Sequence, residues 1–155
     1  MKRRFVKYFL MTALVAAVSS VGCSSAALAQ QADDGAKTMA LRGIMDQLGQ
    51  SMQDVAGAIA REDWSAVAEL APQIAEHDEP PATEKVRILA WLGTDALKFR
   101  SHDKEMARAA ENMGTVARSG DGAEVINAFA DVQRKCLACH EAYRADFVQH
   151  FYDDH

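Results

Sequence analysis

Leu41, Met45, Leu48, Met52, Val55 and Ile59 are spaced 4, 3, 4, 3, 4 along the chain. That pattern lines one face of an α-helix from Met39 to Arg61 with apolar side chains and repeats every seven residues. A strand would scatter the same residues over both its faces. One helix cannot bury such a face by itself, so the rest of the chain must supply partner helices.

Partners are found downstream. Asp63 can cap a second helix carrying Trp64, Val67, Ala71 and Ile74 at spacing 3, 4, 3. Pro72 lies inside it and should kink it or loosen its last turns. "HDEPPAT" is the clearest breaker: Pro80-Pro81 ends any helix, and Thr83 can cap the next one. "EKVRILAWLG" reads as a short helix ending at Gly93. A third long helix is predicted from about Lys104 to Arg118, with Met106, Ala110, Met113 and Ala117 on one face. After the tight "SGDG" connection, Val125, Phe129, Val132, Cys136, Cys139, Tyr143 and Phe147 mark a last helix. No stretch alternates with period two. Hydrophobic residues make up 49% of the chain with only 3 prolines, and Ala leads the apolar set, all of which favours helix. The predicted fold is all-α: an antiparallel four-helix bundle over residues 30–155, with a short extra helix in the second connection.

The first 29 residues stand apart. Lys2, Arg3, Arg4 and Lys7 precede the apolar run "YFLMTALVAAVSSV", and "ALA" at Ala27 to Ala29 supplies a small-x-small exit. Charged start, short apolar middle and small-residue exit describe a secretory signal, with the mature chain starting at Gln30 in the periplasm. The run is shorter than the ~20 residues of a membrane span, so no stable membrane association is expected. "SVGC" ending at Cys23 offers a lipid-attachment alternative, weakened by Ser20 where an aliphatic residue belongs. Without this segment, thirteen basic residues face 22 acidic ones, a formal charge of −9. Such a surface argues against nucleic acid and suits a partner protein that is basic where it docks.

The mature chain keeps two cysteines, both in "CLACH", Cys136 to His140. A structural zinc site wants about four N/S ligands, and no second pair is present. A dithiol oxidoreductase places its C-x-x-C at a helix N-terminus after a strand. Cys136 lies roughly a dozen residues into a helix instead. C-x-x-C-H is the attachment pattern for a c-type haem. Both thiols fall on one helical face, where they can form thioethers with one haem, and His140 can turn its imidazole to the iron. Attachment of this kind takes place outside the cytoplasm, where the signal sends the chain.

"CLACHEAYR", Cys136 to Arg144, resembles the C-terminal signature of the cytochrome c′ superfamily. The resemblance implies one haem held between helices at one end of the bundle. It also implies a choice at the sixth iron position, filled by a residue of the first helix. One group offers an apolar side chain and leaves iron open to small gases. The other offers methionine and carries electrons. "LRGIMDQLGQSM" resembles the methionine-bearing type, with Met45 as ligand. Members are often dimers through the first two helices, so a homodimer is an expectation too.

Helix lengths give a separate test. His140 is about ten residues before a last helix ending near Phe151, ~15 Å along the axis. Met45 is about nine residues into a first helix starting near Ala36, ~14 Å. Met52 lies ~10 Å deeper, which disfavours it without separating Met45 from Leu48. Thioether chemistry favours Met45, because a soft neutral ligand suits electron transfer. The competing role for any methionine at helical spacing is core packing. The leading reading is a monohaem electron carrier, not an enzyme; the alternative is a five-coordinate haem protein binding nitric oxide or carbon monoxide, with Leu48 crowding the open face. Peroxidase-like catalysis lacks a His/Arg pair on the distal stretch. Arg144 follows His140 by four and can pair with a haem propionate. Gly49 offers room for the haem plane. Tyr143 and Phe129 read as core, Trp64 and Trp91 as packing anchors. His77, His102, His150 and His155 read as surface histidines.

Overall fold

A computed structural model describes residues 39–152. The signal-peptide segment 1–29, Cys23, Ala36 and His155 lie outside them. Five helices follow one another: α1 Ala40–Ala60, α2 Trp64–Ala75, α3 Ala82–Leu92, α4 Ala96–Ala117 and α5 Gly122–Phe151. A single 3-10 turn, Gly93–Asp95, joins α3 to α4. Helices α1, α2, α4 and α5 form the four-helix bundle, and α3 is the extra helix of the second connection.

Local chemistry sets most of the ends. Asp63 accepts a bond from the Ala66 N–H at 3.0 Å and starts α2 as expected. Its neighbour Ser65 donates to the same carboxylate at 2.8 Å. These bonds, the backbone amide first, hold the Asp63 carboxyl below its ordinary pKa. Asp121 does the same for α5 through the Glu124 N–H at 3.2 Å. Pro72 stays within the last turn of α2, exposed, and the helix ends three residues later. Thr83 does not cap α3. The helix begins at Ala82 with Pro81 as its boundary residue, which leaves Thr83 already inside the first turn. The third long helix starts at Ala96, not near Lys104. Gly93, at φ 53°, turns the chain at the end of α3, and the 3-10 turn feeds straight into α4.

The helices pack unequally. α4 lies against both α5 and α2, and α1 lies against α2, whereas α1 approaches α5 over only a short stretch. The main core contains Val55, Val67, Ile74, Met113, Val125 and Val132, all fully buried. Small residues let α2 and α4 close on each other: a Cβ added at Gly114 would sit 2.9 Å from the Ala71 Cβ. The stripe on α1 is only half covered. Val55 is its one fully buried member, and the other buried positions, Ile44, Ser51 and Ala58, fall beside it. A stripe broad enough for two neighbours is here covered chiefly by one, α2.

A second apolar cluster caps the end of the bundle where α1 begins and α5 finishes. Met39, Ile88 and Leu92 are buried there, with Leu41, Trp91, Phe99, Tyr143, Phe147 and Phe151 packed around them. Trp91 meets Phe147 edge-on at 5.5 Å and Phe151 at 5.6 Å, an anchor as expected. Arg87 lies over the Phe151 ring at 5.6 Å. Trp64 anchors the other end, where its ring fills the space that a Cβ at Gly122 would need.

Candidate haem site

The two apolar clusters do not meet on α5 at the C-x-x-C-H. Cys136 packs on the main core, and Tyr143 belongs to the end cluster. Cys139 and His140 lie between them in sequence. The same division occurs on α1. Leu41 is in the end cluster, Leu48 and Met52 pack on the main core, and Met45 belongs to neither. Met45 is 39% exposed, unusual for a large apolar side chain on the bundle's own stripe. The break between the clusters therefore falls at Met45 on one helix and at Cys139 and His140 on the other, the pair of helices that scarcely touch.

Counting from helix ends does not give this result. With α1 starting at Ala40, Met45 is five residues in, ~8 Å, and Met52 is twelve in, ~18 Å, while His140 is eleven residues before the end of α5, ~17 Å, so axial height no longer disfavours Met52. The start near Ala36 assumed by the sequence arithmetic is not where the helix begins.

The two cysteines are not joined to each other, and both are half-buried within a regular helix. Burial raises the Cys136 thiol above its ordinary pKa. Burial, then the Asp103 carboxylate, then Cys136 itself push Cys139 up to about 11. Thiols held protonated are poor nucleophiles, which counts against a dithiol redox role. Their place in mid-helix explains the direction, since no helix N-terminus lowers them. Among the described residues no group of three or more His, Cys, Asp or Glu side chains could hold a metal ion.

His140 and Arg144 are both exposed, one turn apart on α5. Arg42, one turn before Met45, is exposed too. Tyr143 contributes a feature that its reading as core did not include: its hydroxyl is buried without a hydrogen-bond partner in the structure. Burial and the nearby Asp95 and Cys139 raise its pKa, so it remains a proton donor. Gly43 and Gly49 have nothing within 4 Å of an added Cβ, so neither is packed against the protein.

The model of the family described as Cytochrome C' matches residues 36–144, a span that takes in Met45, Cys136, Cys139, His140 and Arg144. The chain belongs to the cytochrome c′ family. No curated protein and no solved structure is a significant match. Membership makes this a haem protein in which c-type haem, with its iron, is covalently bound.

The residues present fit that group. Two thiols three residues apart sit on one side of α5, with an exposed imidazole directly after them. An apolar half-stripe on α1 is left uncovered by protein, and an orphaned hydroxyl at Tyr143 can donate to an oxygen-bearing group. Cys136 and Cys139 would hold the haem, and His140 would face its iron. One open surface hollow, about 540 Å³, lies at the far end of the bundle between Trp64, Glu69 and Arg118, away from these residues.

Two histidines, His77 and His102, differ from their reading as surface residues, and a third, His150, is exposed as expected but makes a ring contact. His77 is not a free surface residue: its side chain is 16% exposed and pairs with Asp103. His102 is half-buried with its ring edge-on to Tyr143 at 5.8 Å. His150 is exposed but stacks on Trp91 at 5.8 Å. Each partner lies far away in sequence, so no local pattern announces the contact.

Proposed function

We propose that this cytochrome is a single-haem electron carrier of the low-spin type, with His140 and Met45 as axial ligands and Cys136 and Cys139 as thioether anchors. The observation that carries the reading is the position of Met45. It is the one methionine of α1 that neither apolar cluster claims, as His140 on α5 is claimed by neither. Met52, packed on the main core, already has a structural role.

Bound haem iron supplies a one-electron couple. The chain's own residues then act by holding and excluding. A thioether from Met45 is neutral and soft, favours the reduced state and raises the potential. Keeping both ligands in each oxidation state limits rearrangement, which suits rapid transfer. Arg144, exposed one turn after His140, is suited to pairing with a propionate. The excess of acidic residues in the mature chain supports a redox partner that is basic at its docking face. Export by the 1–29 segment places the reading in the periplasm, with lipid attachment at Cys23 as the lesser alternative and a homodimer as a further expectation.

The deciding experiment is an optical spectrum of the purified holoprotein in both oxidation states, followed by carbon monoxide. Met45 ligation predicts a low-spin ferric form with the weak near-red sulfur-to-iron band, and slow, partial carbon monoxide uptake. A high-spin ferric form that binds carbon monoxide at once on reduction overturns the reading. The five-coordinate, gas-binding alternative would then lead.

A further inference from the structure

The N-terminus of α1 has no cap of its own. Met39 occupies the boundary position without a side-chain hydrogen bond, and no acidic residue lies in the first turn. The cap comes from elsewhere. Glu84, on the first turn of α3, receives the Ala40 N–H on Oε2 at 2.8 Å and the Leu41 N–H on Oε1 at 2.8 Å. Both carboxylate oxygens are thus used on adjacent amides, 44 and 43 residues away in sequence. A negative charge there also meets the positive end of the α1 dipole.

Helix α3 is itself held to α5. Ile88 and Leu92 are buried in the end cluster. Trp91 contacts Phe147, His150 and Phe151, and Arg87 lies over Phe151. At this end α3 joins the cluster that the start of α1 and the end of α5 share, and α1 and α5 otherwise approach each other over only a short stretch. Beside the apolar contacts of Met39 and Leu41, the Glu84 carboxylate is the directional grip on α1, through hydrogen bonds to two consecutive amides. Leu41 is one helical turn before Met45, and the Leu41 carbonyl is the intrahelical partner of the Met45 N–H.

We propose that Glu84 is a positioning residue for the sixth iron ligand: by clamping the Ala40 and Leu41 amides, it sets where Met45 stands relative to His140. This rests on the reading of Met45 as that ligand. The apolar contacts supply adhesion without direction, whereas two short bonds to consecutive amides allow one register and one rotation. A capping carboxylate of ordinary strength corresponds to about a five-fold change in a local equilibrium.

The test compares holoproteins carrying Glu84→Ala, Glu84→Gln and, as a stability control, Val67→Ala in the main core. Three readouts are taken well below the unfolding temperature: the ferric near-red band, the rate of carbon monoxide uptake by the ferrous form, and amide exchange over residues 40–45. Glu84→Ala should weaken the band, speed carbon monoxide uptake about five-fold and accelerate exchange. Glu84→Gln keeps one acceptor oxygen and should fall between it and the wild type. Val67→Ala should lower the melting temperature while leaving band and uptake unchanged. If the wild type has the band and Glu84→Ala matches it in band and uptake, the positioning role is refuted although Met45 ligation stands. A wild type without the band refutes both. Equal loss of the band in Val67→Ala refutes the positioning role as well, since general destabilisation would then suffice.

Discussion

The Nε2 of His77 lies 3.2 Å from the Oδ1 of Asp103, which ties the start of the long connection to the middle of α4. The opposite ring nitrogen, Nδ1, is 3.2 Å from the Ile74 carbonyl oxygen. A ring with acceptors on both nitrogens is best served when both carry protons. The bond to Asp103 is the largest cause raising the His77 pKa; partial burial opposes it, and the Asp103 charge, the Ile74 carbonyl and Glu79 add to the rise.

A raised folded-state pKa means that the folded protein holds this proton more tightly than the unfolded chain. The stabilisation is therefore complete below the unfolded value near 6.5 and fades as pH climbs through the higher folded value. His77→Gln should remove it. The melting temperature of the wild type should exceed that of the variant at pH 5.5, and the gap should narrow towards pH 9. Asp103 is half exposed, so the pair contributes no more than ~1 kcal/mol. A gap that widens with pH would reverse the assigned sign.

Attachment is checked by chemistry rather than by stability. Changing both Cys136 and Cys139 to Ala should give a protein that loses its haem to acidified organic solvent, while the wild type keeps the pigment on the chain. Retention by the double variant would disprove thioether attachment. His140→Ala should impair maturation of the holoprotein, because the imidazole proposed to face the iron is gone. An unaltered spectrum in that variant would mean that another residue holds the iron.

Periodicity made the core of this bundle legible. Met106, Ala110, Met113 and Ala117 were identifiable from spacing alone, and all four are buried. Val125 and Val132 on α5 likewise lie fully inside. The start of α4 was not legible. "TDALKFRSHD" carries few apolar residues at helical spacing, and Phe99 packs into the end cluster rather than the main core. The haem motif was visible because its residues are adjacent. Glu84 was not, because a carboxylate on one helix that caps another 43 residues away leaves no local trace. The Tyr143 hydroxyl was missed for a related reason: spacing reports which side a ring faces, not whether its oxygen finds a partner.

Gly114 offers a test of how closely α2 and α4 are packed. Alanine is ordinarily the better helix former by about 1 kcal/mol. Here the added methyl would lie 2.9 Å from the Ala71 Cβ and 3.7 Å from the Ala68 carbonyl oxygen, both on the facing helix. Ala71 is 1% exposed and has no flexible end to move aside. Overpacking of this kind costs about 1–3 kcal/mol, so Gly114→Ala should be net destabilising by about 1 kcal/mol in thermal unfolding of the holoprotein. Adding Ala71→Gly removes the opposing methyl. The double variant should then be more stable than the sum of its singles implies. Additive losses would show that the two positions do not press on each other.

The two methionines of α1 that lie seven residues apart separate ligation from packing. Met45→Ala should open the sixth position. The ferric iron should turn high-spin, the near-red band should vanish, and carbon monoxide should bind readily on reduction. Met45 is 39% exposed and outside both apolar clusters, so it packs little against other side chains and its removal should be read in the spectrum rather than in the core. Met52 behaves oppositely. It is half-buried against the main core, so Met52→Ala should leave the spectrum nearly unchanged. Its loss of stability should fall near the lower end of the ~2–5 kcal/mol found for fully buried methionine. Spectral loss in the Met52 variant with none in the Met45 variant would exchange the two roles. Spectral loss in neither would leave the iron without a thioether ligand, and Leu48→Ala, which removes the next side chain along the stripe, would then be the variant whose carbon monoxide uptake reports on an open distal face.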